Sequence, residues 1–192
     1  MGLDILILAA GAARRFGGNK LLARWRGHPL LEHVLAAAES VRANSINLVF
    51  GAYADEVQAY LQSRPAASHI KHFVNADWQS GMGSSLAFGI AQLPQENAVL
   101  VLLADQPLIA PADLQNILAL GQKNPHKIIC AEFSATRGPP ALFPAQYKNE
   151  LRLLAGDRGA KALLHSADVL TISVAAAAVD IDSPPDLSQL TI

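Results

Sequence analysis

Apolar positions follow two alternating rhythms along this chain. Residues 3–8 (LDILIL) form a short, nearly continuous apolar run that stops at Ala9, Ala10 and Gly11, the pattern of a buried parallel strand entering a turn. Residues 29–41 then place Leu30, Leu31, Val34, Leu35, Ala38 and Val41 at helical spacing, with Pro29 tolerated in the first turn. The alternation recurs: the pattern predicts strands over 47–50, 70–74, 98–104, 127–133 and 169–174, and helices over 55–62, 84–93 and 111–122, with helical segments around 145–154 and 159–166. Strands separated by helix-length segments predict an α/β fold, a Rossmann-like, doubly wound, mainly parallel sheet with helices on both faces. With no internal repeat or hinge-like linker, 1–192 reads as a single domain, and Gly138-Pro139-Pro140 as a local turn.

Composition sharpens this picture. The 192 residues are 51% hydrophobic and 16% charged, enough apolar material to cover both faces of a sheet. Fifteen Lys and Arg against sixteen Asp and Glu leave a net charge of −1, which argues against nucleic acid as a partner, so any anion site must be local. The one cysteine, Cys130, cannot make an internal disulfide or a thiolate metal cage. The first residues lack a secretory leader's basic start, and no apolar run approaches the roughly 20 residues of a membrane span, so a cytoplasmic protein without a membrane partner is expected.

In open α/β sheets, ligands meet the loops beyond the carboxyl ends of the strands. The first such loop, Leu8-Ala9-Ala10-Gly11-Ala12-Ala13-Arg14-Arg15-Phe16-Gly17-Gly18-Asn19-Lys20, has small residues where a base or phosphate could approach the backbone and Arg15 and Lys20 to supply charge. It is not a Walker A loop, because five residues separate Gly11 from Gly17 and Leu21 follows Lys20; nor is it the dinucleotide fingerprint, since Ala13 stands at the second glycine. A basic surface loop with glycine turns is the plainer reading. The second loop, Asp105-Gln106-Pro107, ends a buried strand; Asp105 is either a magnesium ligand or a turn-former. In the third, Val179-Asp180-Ile181-Asp182-Ser183-Pro184-Pro185-Asp186, an extended backbone would point Asp180 and Asp182 the same way. Asp182 either completes a metal site with Asp105 or faces solvent, while Asp186 and Ser183 form a capping-box-like pair. Between the first two loops, Asn75-Ala76-Asp77-Trp78-Gln79-Ser80-Gly81-Met82-Gly83-Ser84-Ser85 leads into a helix; Gly81 and Gly83 could show backbone donors to a nucleobase, and Ser84 or Ser85 could cap the helix.

Taken in order, these segments resemble the MobA-like nucleotidyltransferases, and within them the molybdenum cofactor cytidylyltransferases of the MocA type. The family's L-A-A-G-x-S-x-R-x-G-x-x-K loop stands at 8–20, its N-x-D-[YW]-x-x-G-[ML] segment at 75–82 and its D-x-P turn at 105–107. Gly138-Pro139-Pro140-Ala141-Leu142-Phe143, Gly156-Asp157-Arg158-Gly159-Ala160-Lys161 and residues 180–187 look like three further family motifs. The resemblance implies a transferase that joins CMP from CTP, or another nucleotide, to the phosphate of molybdenum-bearing molybdopterin and releases pyrophosphate, with Mg2+ as cofactor and a molybdoenzyme as possible recipient. It implies nucleotide contacts from Leu8, Ala9, Ala10, Gly11, Arg15, Lys20, Asn75, Gly81, Ser85 and Asp105, catalytic roles for Arg15, Lys20 and Asp105, and metal ligation by Asp105 and Asp182.

Three positions depart from the family pattern: Ala13 stands for serine, Phe16 for methionine and Pro139 for histidine. The last bears on how the acceptor is recognised. A related transferase acting on a sugar phosphate, and a non-catalytic binder that delivers a cofactor, are the competing readings. The implied chemistry needs no activated histidine, because a phosphate acceptor is already anionic; alignment and charge neutralisation carry the reaction.

Overall fold

The computed structural model describes residues 2–64, 69–166 and 168–190. Its strands are β1 (Leu3–Ala9), β2 (Arg24–Trp25), β3 (His28–Pro29), β4 (Ser45–Phe50), β5 (Ile70–Val74), β6 (Ala98–Leu103), β7 (Ile128–Phe133), β8 (Thr136–Phe143) and β9 (Val169–Ser173). The helices are α1 (Leu30–Glu39), α2 (Ala54–Ser63), α3 (Met82–Ala91), α4 (Pro111–Lys123), α5 (Lys148–Arg152), α6 (Lys161–Leu164) and α7 (Pro184–Gln189). Seven strands make one sheet in the order β5-β4-β1-β6-β8-β7-β9. All neighbours run parallel except β8, which is antiparallel to both β6 and β7. This is the Rossmann-like α/β sheet expected from the alternation of strand and helix patterns.

Strand periodicity explains the two-sided core. Ile5, Ile7 and Ala9 of β1 join a cluster with Leu31 and Val34 of α1, Val57 and Leu61 of α2 and Leu114 and Ile117 of α4. Leu6 and Leu8 face the opposite way, into a cluster with Leu86 and Ile90 of α3, Leu151 of α5 and Leu164 of α6. Both faces are therefore covered, which is why β1, β4 and β6 are apolar at nearly every position.

The structure corrects one segment outright. Gly138-Pro139-Pro140 is not a turn but lies within β8. Ala141 pairs with Cys130 and Gly138 with Ala131, so the two prolines fall in a bulge between paired positions, and pairing with β6 ends at Ala141. Proline lacks a ladder donor, and the bulge removes the need for one. The short hairpin of β2 and β3 also has no signature in the hydrophobic pattern, because two-residue strands are too short to alternate. Elsewhere the differences are at boundaries: α3, for example, starts at Met82 rather than at Ser84.

Arg64, just beyond α2, clamps α1. Its Nε lies 2.7 Å from Glu32 Oε1, and Nη1 and Nη2 reach the two Glu39 oxygens at 2.8 and 2.9 Å. The Arg64 hydrogen bonds hold the Glu39 carboxyl below the ordinary glutamate range. A depressed carboxyl pKa contributes stability at and above the unfolded value, and that contribution is lost as pH falls through the folded one. Thermal melts between about pH 6 and about pH 3 should show a falling midpoint, with a shallower fall in Glu39→Gln.

Candidate functional site

Three chain segments converge beyond the carboxyl ends of β1 and β6. The loop after β1 turns back on itself at Ala13, whose carbonyl accepts from Phe16 N at 2.9 Å and Gly17 N at 3.2 Å, with Gly17 at φ +77° as a glycine permits. It then enters a single 3-10 turn, Lys20–Leu22, capped by Asn19, whose Oδ1 accepts from Leu21 N at 3.2 Å. Leu21 is buried in the core, so the turn is fixed and Lys20 is aimed across the strand ends. On the other side Ala104 N donates to Leu8 O at 3.0 Å, and Ile181 N donates to Asp105 O at 3.1 Å. That second bond draws the 180–182 segment against Asp105, with Ile181 fully buried between two acids. Asp186 Oδ2 accepts from Asp182 N and Ser183 N at 3.0 and 2.7 Å, so Asp186 has the structural role its spacing suggested.

The result is an ion cluster. Lys20 Nζ lies 2.7 Å from Asp105 Oδ2 and 3.1 Å from Asp182 Oδ1, and Arg15 Nη1 lies 3.6 Å from Asp182 Oδ2. The Lys20 side chain is 10% exposed, Asp105 23%, Asp182 53% and Arg15 82%, so charge grades from a sheltered ammonium to an exposed surface guanidinium. Burial pulls the Lys20 pKa down, but the charges and hydrogen bonds of Asp105 and Asp182 outweigh it and leave the ammonium above its ordinary value. Asp180 sits near the same group. Burial and the neighbouring Asp105 push its carboxyl up, opposed by a hydrogen bond from Gln106.

Two open cavities meet at this cluster. One, of about 400 Å³, is lined by Leu8, Ala9, Gly11, Arg15, Lys20 and Asp105 together with Asp182. The other, of about 470 Å³, runs from Leu8, Ala10 and Gly11 to Gly81 and Ser85 and also touches Asp105. Among the residues expected to bind nucleotide, Asn75 alone is absent from both. It is 4% exposed, and its amide donates to Ser84 Oγ at 3.2 Å and Ser85 Oγ at 3.1 Å while accepting from Asp77 N at 3.0 Å. Its side chain braces the start of α3 from outside both cavity linings, where it positions Ser84 and Ser85. The backbone donors expected from the glycines are spent too: Gly81 N donates to Trp78 O at 3.1 Å and Gly83 N to Gly156 O at 2.7 Å. Nor does a serine side chain cap α3; Gly81 is its N-cap residue, and Ser84 Oγ donates instead to Asp77 O at 2.8 Å. Two cavity residues, Arg14 and Asp157, were not singled out from sequence.

No group of three or more His, Cys, Asp or Glu side chains suited to a metal occurs among the described residues. Asp105 and Asp182 nevertheless direct carboxylate oxygens at one point, now held by the Lys20 ammonium. Two hard oxygen donors fit a magnesium-type ion, which takes one or two carboxylates and completes its shell with substrate phosphates and water.

Comparison with known proteins gives this geometry a context. The family described as the MobA-like NTP transferase domain matches the chain over residues 5–171. The chain belongs to that family. Among curated relatives, the bifunctional protein GlmU of Legionella pneumophila is 32% identical over 146 residues, 74% of this chain but 31% of GlmU. The chain thus spans about a third of the length of that relative. The nicotine blue oxidoreductase of Paenarthrobacter nicotinovorans is 30% identical and matches nearly end to end, over 96% of this chain and 94% of its own. Rv0371c of Mycobacterium tuberculosis H37Rv superposes with a TM-score of 0.83 at 26% identity, covering 99% of this chain and 97% of its own, and has also been crystallised in complex with manganese. Among the described residues of this MobA-like protein, no helix is long and apolar enough to cross a membrane.

Proposed function

We propose that this protein is a divalent-metal-dependent nucleotidyltransferase that moves CMP from CTP to the phosphate of molybdenum-bearing molybdopterin, for use by a recipient molybdoenzyme. The observation that carries the reading is the Lys20 ammonium held between Asp105 and Asp182 where two cavities meet, one against the arginine-bearing loop and the other reaching the start of α3. In the reaction, an acceptor phosphate oxygen forms a bond to the α-phosphorus of the nucleoside triphosphate. The bond to the bridging oxygen of the β-phosphate breaks, and pyrophosphate leaves with that electron pair. Backbone at Ala9, Ala10 and Gly11 lets the nucleotide lie close, Lys20 and Arg15 spread the growing negative charge, and Asp105 with Asp182 would hold Mg2+. The ion, when bound, neutralises phosphate oxygens and helps align them.

Pyrophosphate release measured with CTP, GTP or ATP against molybdopterin or a sugar 1-phosphate determines donor and acceptor together. Release with CTP and molybdopterin is expected; release only with a sugar phosphate would transfer the reading to the related class, and nucleotide binding without release would leave a delivery protein. The end-to-end relative named as an oxidoreductase supports a second reading, a redox enzyme. Turnover of nicotine blue by a chain that releases no pyrophosphate would support it.

A further inference from the structure

In the cavity between Ala10 and α3 the two glycine donors at the start of the helix are not free to read a nucleobase, because Gly81 N and Gly83 N are both bonded within the protein. What replaces them is the turn at 155–157. Gly83 N binds Gly156 O at 2.7 Å, and the turn lies so close that a Cβ on residue 81 would sit 2.3 Å from Asp157 Oδ1, and one on residue 83 would sit 2.7 Å from Ala155 O. Gly81 is at φ +111°, so two independent constraints require glycine there. Asp157 is exposed and lines this cavity with Trp78, Gln79 and Ser85, and its carboxylate has no hydrogen bond or ion pair among the described residues.

The other polar side chains facing the cavity discriminate poorly or are engaged. Asp105 is paired with Lys20, Arg14 is a cation, and the Gln79 amide can present either end. Ser85 Oγ accepts from Asn75, which leaves its hydroxyl proton to donate. An unpaired carboxylate that lines the same cavity as a hydroxyl donor matches an aminopyrimidine, whose exocyclic amine donates and whose ring nitrogen accepts. It opposes a pyrimidine with a carbonyl in place of the amine, where two acceptors would meet.

We propose that Asp157 is the specificity-determining residue for the base, accepting from the exocyclic amine of cytosine, with Ser85 donating to the ring. This rests on the nucleotide-transfer reading for the location of the base, but it assigns a role to the turn that packs on Gly81 and Gly83. Equilibrium binding of CTP and UTP, measured without acceptor, tests it. The native protein should bind CTP at least about tenfold more tightly than UTP, the effect of leaving one acceptor facing another instead of a donor. In Asp157→Asn the ratio should fall to within about threefold, with CTP weakened and UTP strengthened, because the amide can donate to the carbonyl. Asp157→Ala should lose the ratio as well, by weakening CTP and by relieving the repulsion that UTP meets. Equal weakening of both nucleotides in the two variants, or a native protein without preference, overturns the assignment. A chain that transfers CMP while Asp157→Asn keeps the native ratio overturns this inference and leaves the transfer reading standing; a native preference erased by Asp157→Asn in a chain without transfer does the reverse. Binding of neither nucleotide overturns both.

Discussion

Lys20→Ala is expected to lower pyrophosphate release about a hundredfold, the effect of removing one oriented electrostatic contact from a charged transition state. The ammonium is sheltered and protonated, and the buried Leu21 beside it fixes its backbone, so only the side chain has to swing from the two acids to the triphosphate. Its removal leaves the Asp105 and Asp182 carboxylates facing each other without their cation, and both are open enough to water to tolerate this. The fold should therefore persist, as circular dichroism would verify. One consequence separates charge stabilisation from general damage. Because the ammonium occupies the point toward which both carboxylates are directed, its loss should strengthen Mn2+ binding to the nucleotide-free protein even as turnover collapses. Lys20→Arg should not restore the rate, since a planar guanidinium cannot take the place of a compact ammonium between the two acids. Native turnover in Lys20→Ala would remove the residue from the chemistry.

Much of this site was legible because parallel sheets oblige loops at the carboxyl ends of strands to converge. The apolar runs at 3–8 and 98–104 locate two strands whose following loops belong at the same end of the sheet, and the structure makes the strands neighbours, which brings the acid at 105 beside the basic loop after β1. Asp182 followed from its two-residue spacing with Asp180, and the structure supplies the reason, a buried Ile181 between them whose N–H is held by Asp105 O.

What was not legible depends on long-range packing. A Gly-Pro-Pro string reads as a turn by every local rule, yet β8 absorbs its prolines in a bulge between β6 and β7. Glycines at 81 and 83 look like openings for a ligand, but they are small because another stretch of backbone lies on them. Asn75 looks like a base reader until its partners are seen: Ser84, Ser85 and Asp77 take all of its side-chain hydrogen bonds. In each case local chemistry indicates what a residue can do, and only tertiary neighbours determine whether that capacity is already used. Arg14 and Asp157 are the converse: each stands in a segment that resembles a family motif without a role of its own there, and each becomes a cavity wall when the chain folds.

Asp105→Ala carries the second large expectation, a loss of about a hundredfold in pyrophosphate release with a shift to higher metal demand. The side chain can be removed without dismantling the loop, because the bond that draws in Ile181 is made by the Asp105 backbone carbonyl. What disappears is the nearer of the two carboxylates around Lys20, at 2.7 Å against 3.1 Å for Asp182, and the less exposed, at 23% against 53%. A sheltered charge is screened less by water and salt, so Asp105 should matter more than Asp182 to both the lysine and a divalent ion. The expected order of turnover is therefore native, then Asp182→Asn, then Asp105→Asn and Asp105→Ala together at the bottom. Half-saturating Mg2+ should rise in the same order. Asp105→Asn keeps the shape and loses the charge, so if it retained native turnover while Asp105→Ala did not, the side chain would be serving packing instead of electrostatics. An Asp182 variant more impaired than either would move the metal-holding role to the outer acid.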